Sequence, residues 1–288
     1  MKKFLALMLA MLMALSLAAC GKQEAAAPAD DGAAADEAPV SEELILGTSA
    51  DYAPFEFMYP DESGELVYGG IDVSVAEYIA SCMGKELKVE NMGFDYLLAS
   101  LEKGDFDIVI AAMEATEERM QSADFSDPYY TDMPPMILVK KDTADSYKTL
   151  GDFSGKSVGA QTATTKLDIV NEQMEGANAV SLQVVTDLIN DLVNNKLDAV
   201  VLDGAVAMEY ANSNPDLVVA DASAELGAAA PYCVAVAKGD PKGLLPAINA
   251  AIAKMTEENA VEQFIADADA LVDAGDYEEV SVDAPEEG

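Results

Sequence analysis

A chain of 288 residues with a formal net charge of −37 and no histidine is defined first by what it cannot do. Ser-His-Asp and Cys-His nucleophiles, histidine bases and most zinc sites are excluded, and so negative a field repels nucleic acid and anionic lipid surfaces. Three cysteines without a CxxC spacing exclude a paired-thiol redox motif.

In chain order, Lys2 and Lys3 precede an almost purely apolar run, Phe4 to Leu17, then Ala18, Ala19 and Cys20. A positive start, an apolar run short of the ~20 residues that span a bilayer, and small residues before a cleavage point mark an export signal over 1–19. The Leu17-Ala18-Ala19-Cys20 ending resembles a bacterial lipoprotein signal. That resemblance implies a lipidated Cys20 as the mature N-terminus, with palmitate-type acyl chains anchoring the protein at about 0.8 kcal/mol per buried CH₂. Taking away the two lysine charges with the signal moves the net charge from −37 to −39.

Residues 20–43 are rich in Ala, Pro, Asp and Glu without apolar periodicity, a composition that cannot offset its ordering entropy and reads as a linker. Some 20 flexible residues reach roughly 25 Å. From Leu44 onward, short β-rich runs alternate with helical patterns. The runs 44–48, 87–90, 107–111, 136–140, 157–160, 179–182, 199–202, 217–220 and 233–237 read as strands. The segments 72–83, 96–102, 166–174, 185–194, 206–212 and 244–271 read as helices, the last broken near Glu257. That alternation predicts an α/β architecture with mainly parallel sheets. Two similar halves, each with a strand, a Thr/Ser-rich turn, a helix and a further strand, point to two lobes with ligand groups at the carboxyl ends of strands. Cys82 lies in a helical run and Cys233 in a strand-like one, so two buried thiols are expected rather than a bridge. An acidic tail closes the chain over 276–288.

Several ordered motifs then become specific. They are Gly47-Thr48-Ser49-Ala50-Asp51-Tyr52-Ala53-Pro54-Phe55-Glu56-Phe57, Gly70-Ile71-Asp72-Val73, Phe94-Asp95-Tyr96-Leu97, Ala111-Ala112-Met113-Glu114-Ala115-Thr116-Glu117-Glu118-Arg119 and Asp124-Phe125-Ser126-Asp127-Pro128-Tyr129-Tyr130. Across about Leu44 to Leu271 the chain resembles the extracytoplasmic solute-binding proteins of polar amino-acid ABC transporters, the family of the glutamine-binding and lysine/arginine/ornithine-binding proteins. The resemblance implies a periplasmic-binding-protein-like fold, two α/β lobes joined by two hinge strands. Lobe 1 would comprise 44–131 and 230–275, lobe 2 135–226, with hinges near 130–135 and 228–231.

The residues give their own argument for a ligand site. Arg119 follows a capping residue, Thr116, and so falls in a helix's first turn, where a cation opposes the helix dipole while Glu117 and Glu118 suit it. A guanidinium fork matches a carboxylate bidentately; the plain alternative is a solvated arginine paired with a neighbouring glutamate. Thr162, Thr164 and Thr165 precede the next helix, whose free N–H groups can take the same carboxylate or simply be capped. Asp203 ends a strand and either meets an ammonium or caps the helix that follows.

The resemblance makes Arg119 the clamp on a ligand α-carboxylate, Asp203 the partner of its α-ammonium, and Tyr52 and Phe94 the aromatic walls. Ala112, Gln161, Thr164 and Thr165 complete the expected set. Glu114 departs from the family's Ser or Thr; it would reinforce the ammonium contact, reach a cationic side chain, or pair with Lys166 across the cleft. Ser49 departs from the Asp of basic-amino-acid binders, and Ala163 stands where Gly is usual. The implied function is a monomeric, lipid-anchored amino-acid carrier on the outer face of the cell membrane. It would serve ABC permease subunits and need no cofactor or metal. An extracytoplasmic dehydratase of the same fold, and a ligand donor to a sensory receptor, are the alternatives.

Overall fold

The computed structural model describes residues 42–274 and Tyr277; Cys20, the signal, most of the linker and nearly all of the acidic tail lie outside the described residues. Along the chain the strands are β1 (Glu43–Thr48), β2 (Phe57–Pro60), β3 (Leu66–Gly69), β4 (Glu86–Asn91), β5 (Ile108–Val109), β6 (Ala123–Tyr130), β7 (Met136–Lys140), β8 (Ser157–Gln161), β9 (Asn178–Leu182), β10 (Ala199–Leu202), β11 (Leu217–Val219) and β12 (Tyr232–Ala237). The α-helices are α1 (Ile71–Met83), α2 (Leu97–Lys103), α3 (Arg119–Ser122), α4 (Thr165–Gln173), α5 (Val185–Val193), α6 (Gly204–Ser213), α7 (Leu245–Glu257) and α8 (Ala260–Asp273).

These strands form two five-stranded sheets in the orders β4-β1-β5-β12-β6 and β11-β7-β10-β8-β9, plus the hairpin β2-β3. In the first sheet β1 runs parallel to β4 and β5, while β12 is antiparallel to β5 and β6. In the second, β8, β9 and β10 are parallel and β7 is antiparallel to β10 and β11. The chain therefore leaves the first sheet after β6, builds the whole second sheet, and returns as β12. Its two crossings between sheets fall at 131–135 and 220–231. The central strands are buried by helices, as two-sided coverage of a sheet requires: β10 is buried along its whole length while the edge strand β9 is not, and α5 turns Val185, Leu188, Ile189 and Leu192 inward at helical spacing.

The expected elements appear within a residue or two, the break near Glu257 included, but each five-stranded sheet has two parallel and two antiparallel pairings, which corrects the expectation of mainly parallel sheets. The hairpin β2-β3 and the strand β6 were not expected. β6 carries Asp124, Asp127 and Pro128 and is half exposed, so its sequence reads as a turn; pairing with β12 decides it. The strand expected over 107–111 narrows to Ile108–Val109, because the Asp107 carboxylate rather than its backbone neighbour takes the Ile45 N–H at 2.8 Å. Cys82 is exposed and only Cys233 is buried, both as free thiols, which corrects the expectation of two buried ones. The long C-terminal helix breaks at Asn259, in a left-handed conformation with φ 52.

Two packing details position the site. Gly70 caps α1 at φ 113, and a Cβ there would lie 2.2 Å from the Phe55 carbonyl oxygen, so only glycine lets α1 start against the loop that carries Tyr52. Phe55, fully buried, meets the rings of Tyr52, Tyr130 and Tyr232 at 6.3, 5.8 and 5.3 Å, an aromatic floor tying the loop after β1 to both β6 and β12.

Candidate functional site

Buried between the two sheets, four charged side chains form a line of alternating sign. Arg119 donates through Nη1 to Glu114 Oε2 at 3.0 Å and to the Glu114 carbonyl at 2.9 Å. Glu114 Oε1 accepts from Lys166 Nζ at 2.8 Å and from the Thr165 hydroxyl at 2.8 Å. Lys166 Nζ also donates to Asp203 Oδ1 at 2.7 Å, and the Tyr52 hydroxyl donates to Asp203 Oδ2 at 2.7 Å. All four charged side chains are at most a tenth exposed. Arg119 and Glu114 belong to the segment between β5 and β6; Lys166 and Asp203 come from α4 and the end of β10. The line crosses the cleft at the Glu114–Lys166 contact.

Local structure explains each position. Thr116 Oγ1 accepts the Arg119 N–H at 3.2 Å, the cap expected there, although the helix it opens is one short turn. That turn aims the guanidinium inward: its Nη2 donates to the Ala163 carbonyl of the opposite lobe at 3.1 Å, and its Cζ stands 5.2 Å from the Phe94 ring centre, a cation–π distance. Ala163 adopts φ 62, the conformation for which glycine is favoured. Thr164 caps α4 through its hydroxyl, which accepts from the Leu167 N–H. Asp203 occupies the cap position of α6, yet its carboxylate makes no capping bond. Both of its oxygens are spent on Lys166 and Tyr52, so plain capping does not account for it.

The charges set the protonation states. Burial would raise the Glu114 carboxyl, but the Lys166 ammonium and then the Arg119 guanidinium outweigh it and hold it at about 2. Burial likewise opposes the Lys166 ammonium, and Asp203 and Glu114 overcome it, leaving its pKa raised. Burial, then the neighbouring Asp203 charge, drives the Tyr52 hydroxyl well above its ordinary value, keeping it a donor.

A second group of acids lies beside this line. Asp51 accepts the Val185 N–H at the start of α5, at 3.0 Å, through Oδ2 and the Ser49 hydroxyl through Oδ1. Glu56 and Asp72 are fully buried and hydrogen-bonded side chain to side chain, with Glu56 Oε2 lacking a partner. Asp72 also accepts the Ala112 N–H at 2.6 Å and the Tyr129 hydroxyl at 2.7 Å. Burial followed by the Asp72 and Asp51 charges pushes Glu56 well up, and burial raises Asp72 to about 7. The cavity that Asp51 and Glu56 share with Tyr52, Phe94, Ala112, Gln161 and Thr164 has about 10 Å³ of free space, room for roughly one water.

Every residue expected from the sequence lies in or beside this cleft. Tyr52, Phe94, Ala112, Glu114, Gln161, Thr164 and Asp203 line the cavity. Arg119 and Thr165 close one end of it, and Gln161 donates to the Gln183 carbonyl at 3.0 Å. Of the alternatives for Glu114, the geometry has the pairing with Lys166. Sequence reasoning named Lys166 only as that partner and missed Asp51 and Glu56 as lining acids. An acid set between aromatic residues in Phe55-Glu56-Phe57 was the available signal. Among the described residues no cluster of His, Cys, Asp or Glu is arranged to hold a metal ion, and no helix is long and apolar enough to cross a membrane.

Comparison with known proteins places this geometry in context. Residues 44–267 match the family model for bacterial extracellular solute-binding proteins, family 3. The arginine-binding extracellular protein ArtP of Bacillus subtilis is 34% identical over 230 residues, covering 78% of this chain and 83% of that protein. A probable histidine-binding protein of Campylobacter jejuni is 34% identical over 222 residues, 76% of this chain and 80% of its own. The crystal structure of the amino-acid ABC transporter substrate-binding protein AbpA of Streptococcus pneumoniae, bound to L-arginine, superposes with a TM-score of 0.75 at 33% identity, covering 80% of this chain and 96% of that one.

Proposed function

The chain belongs to the bacterial extracellular solute-binding proteins of family 3, and from that premise we propose that it captures a free amino acid with a cationic side chain for an ABC importer. The observation carrying this reading is that Arg119 and Asp203 stand at opposite ends of one buried line of charges spanning the cleft. A guanidinium at one end takes an α-carboxylate, and a carboxylate at the other takes an α-ammonium. Tyr52 and Phe94 supply aromatic walls, and Ala112, Gln161, Thr164 and Thr165 supply polar backbone and side-chain contacts. Asp51, Glu114 and Asp203 face the cavity, with Glu56 pushed toward its neutral form, against the Lys166 ammonium and the Arg119 guanidinium at its end, so the electrostatics favour a ligand bringing added positive charge. The arginine- and histidine-binding relatives support the same class.

A ligand bridging the cleft would hold the lobes together about the crossings near 130–135 and 228–231, and that closed, loaded form would be the one the permease recognises. The work is binding, without catalysis. Calorimetry or thermal shift against the twenty amino acids tests the reading. Arginine, lysine and histidine are expected to bind and to raise the melting temperature, since ligand at about 100 times its Kd adds about 2.7 kcal/mol. If no amino acid binds at millimolar concentration, the proposal fails.

The anchor is part of the same reading: Cys20 carries the lipid that holds the monomeric carrier on the outer face of the cell membrane, with the acidic linker as its tether. A Cys20→Ala protein is expected in the soluble rather than the membrane fraction after export. Continued membrane association of that variant would argue against lipidation.

A further inference from the structure

The Lys166 ammonium lies 2.8 Å from Glu114 Oε1 and 2.7 Å from Asp203 Oδ1, inside the cavity that an amino acid's polar end must enter. With Lys166 in place, about 10 Å³ is left there, far less than any amino acid needs. Beside it lies a second cavity of about 290 Å³. Lys166, Glu114 and Asp203 line it too, together with Asp168 and Glu172 of α4.

Taking as its basis the reading of the cleft as an amino-acid site, we propose that Lys166 is a built-in competitor and specificity determinant: its ammonium sits where the ligand α-ammonium binds, and the ligand has to displace it. Three observations carry this. The berth is complete, because two buried carboxylates share that ammonium, Glu114 taking the Arg119 guanidinium besides. The contact joins the lobes, because Glu114 precedes β6 while Lys166 and Asp203 come from the second-sheet lobe, so the pair performs the bridging that a ligand would perform. The displaced side chain has a destination, since its four-carbon stem can swing into the second cavity, toward Asp168 and Glu172.

The physical consequences follow from competition. An internal cation on Asp203 lowers apparent affinity by the fraction of molecules in which it is seated. The Lys166–Glu114 contact closes the ligand-free protein: Arg119 and Glu114 share one lobe, Lys166 and Asp203 the other, and this is the one ion pair of the four-charge line that crosses the cleft. Once Lys166 has moved, Glu114 keeps the Arg119 guanidinium, while Asp203 has lost its ammonium. An ammonium seated between Glu114 and Asp203 replaces it; an uncharged ligand group there leaves the buried Asp203 without a cation, so ligands lacking the ammonium are rejected.

Lys166→Met tests the proposal, with Lys166→Arg as the charge-keeping control and circular dichroism to verify folding. Arginine is expected to bind Lys166→Met at least about tenfold more tightly than the parent, the equivalent of 1.4 kcal/mol, and Lys166→Arg no more tightly than the parent. By small-angle scattering without ligand, the parent and Lys166→Arg are expected to be compact and Lys166→Met to have a larger radius of gyration. Equal or weaker arginine binding by Lys166→Met overturns the proposal, as does a ligand-free radius of gyration that the substitution leaves unchanged. If neither protein binds any amino acid, the functional reading fails while scattering still decides whether Lys166 holds the lobes shut.

Discussion

Arg119→Ala is expected to abolish measurable amino-acid binding by calorimetry while leaving the fold intact. The guanidinium is buried, so no water stands ready to replace it, and removing one partner of a buried charge pair costs about 2–5 kcal/mol. In binding terms that is a loss of roughly thirty-fold to several thousand-fold in Kd. Two further losses add to it. The Ala163 carbonyl forfeits its donor from the opposite lobe, and Glu114, held at about 2 in part by Arg119, titrates closer to its ordinary range. The fold should survive, because the arginine belongs to none of the three core clusters, touching one only through Phe94, and Glu114 keeps the Lys166 ammonium. A variant that folds and binds with undiminished affinity would remove Arg119 from the site.

The second large effect concerns Glu56 and Asp72. Both have folded-state pKa values raised above those of the unfolded chain, Asp72 to about 7, with burial as the first cause in each. A raised acid binds more protons folded than unfolded. Its stabilising contribution is therefore full below the unfolded pKa near 4 and is lost as pH rises through the folded value. Glu56→Gln removes the acid whose own pKa burial and the Asp72 and Asp51 charges push well up, while its amide can donate to Asp72 as the protonated Glu56 does. Each unit of the removed shift is worth about 1.4 kcal/mol, so the variant should be more stable than the parent by roughly 1–4 kcal/mol at pH 8. The difference should shrink at pH 4.5, where the parent's Glu56 is protonated in the fold. Urea titrations at the two pH values measure it, and a difference independent of pH would refute the account. Glu114 runs the other way. Its folded pKa is lowered, so its contribution is present above about 4.5 and lost as pH falls toward 2.

Much of this molecule was legible in the chain because apolar runs and helix starts are local signals. Met136–Lys140 and Ala199–Leu202 were expected at the bounds they have, since continuous buried β-branched runs leave little choice. The break before α8 was legible from the polar Glu257-Glu258-Asn259 step. β6 was not, because its pattern of exposed Asp and Pro residues is overridden by a partner more than a hundred residues away, β12. Arg119 stood out by its conflict with the helix dipole, and Asp203 by its place at a strand end. Glu56 and Asp51 were missed as site acids: the aromatic flanks in Phe55-Glu56-Phe57 set Glu56 in apolar surroundings, but nothing local reports that α1 and α5 will cover the two acids. Lys166 was read only as a partner for Glu114; its bond to Asp203 exists only once α4 and β10 lie side by side.

The route of the chain has a consequence for synthesis. β12 fills the gap between β5 and β6, and Tyr232 at its start pairs with Glu114. The second sheet, made from one contiguous stretch, can be finished as the polypeptide emerges, while the first lacks a central strand until after residue 237. Long-range pairing of this kind carries the loop-closure cost of the whole intervening segment. The jaw bearing Arg119 and Glu114 is thus the later of the two to take shape, and any product truncated between β11 and β12 carries one finished jaw and no grip.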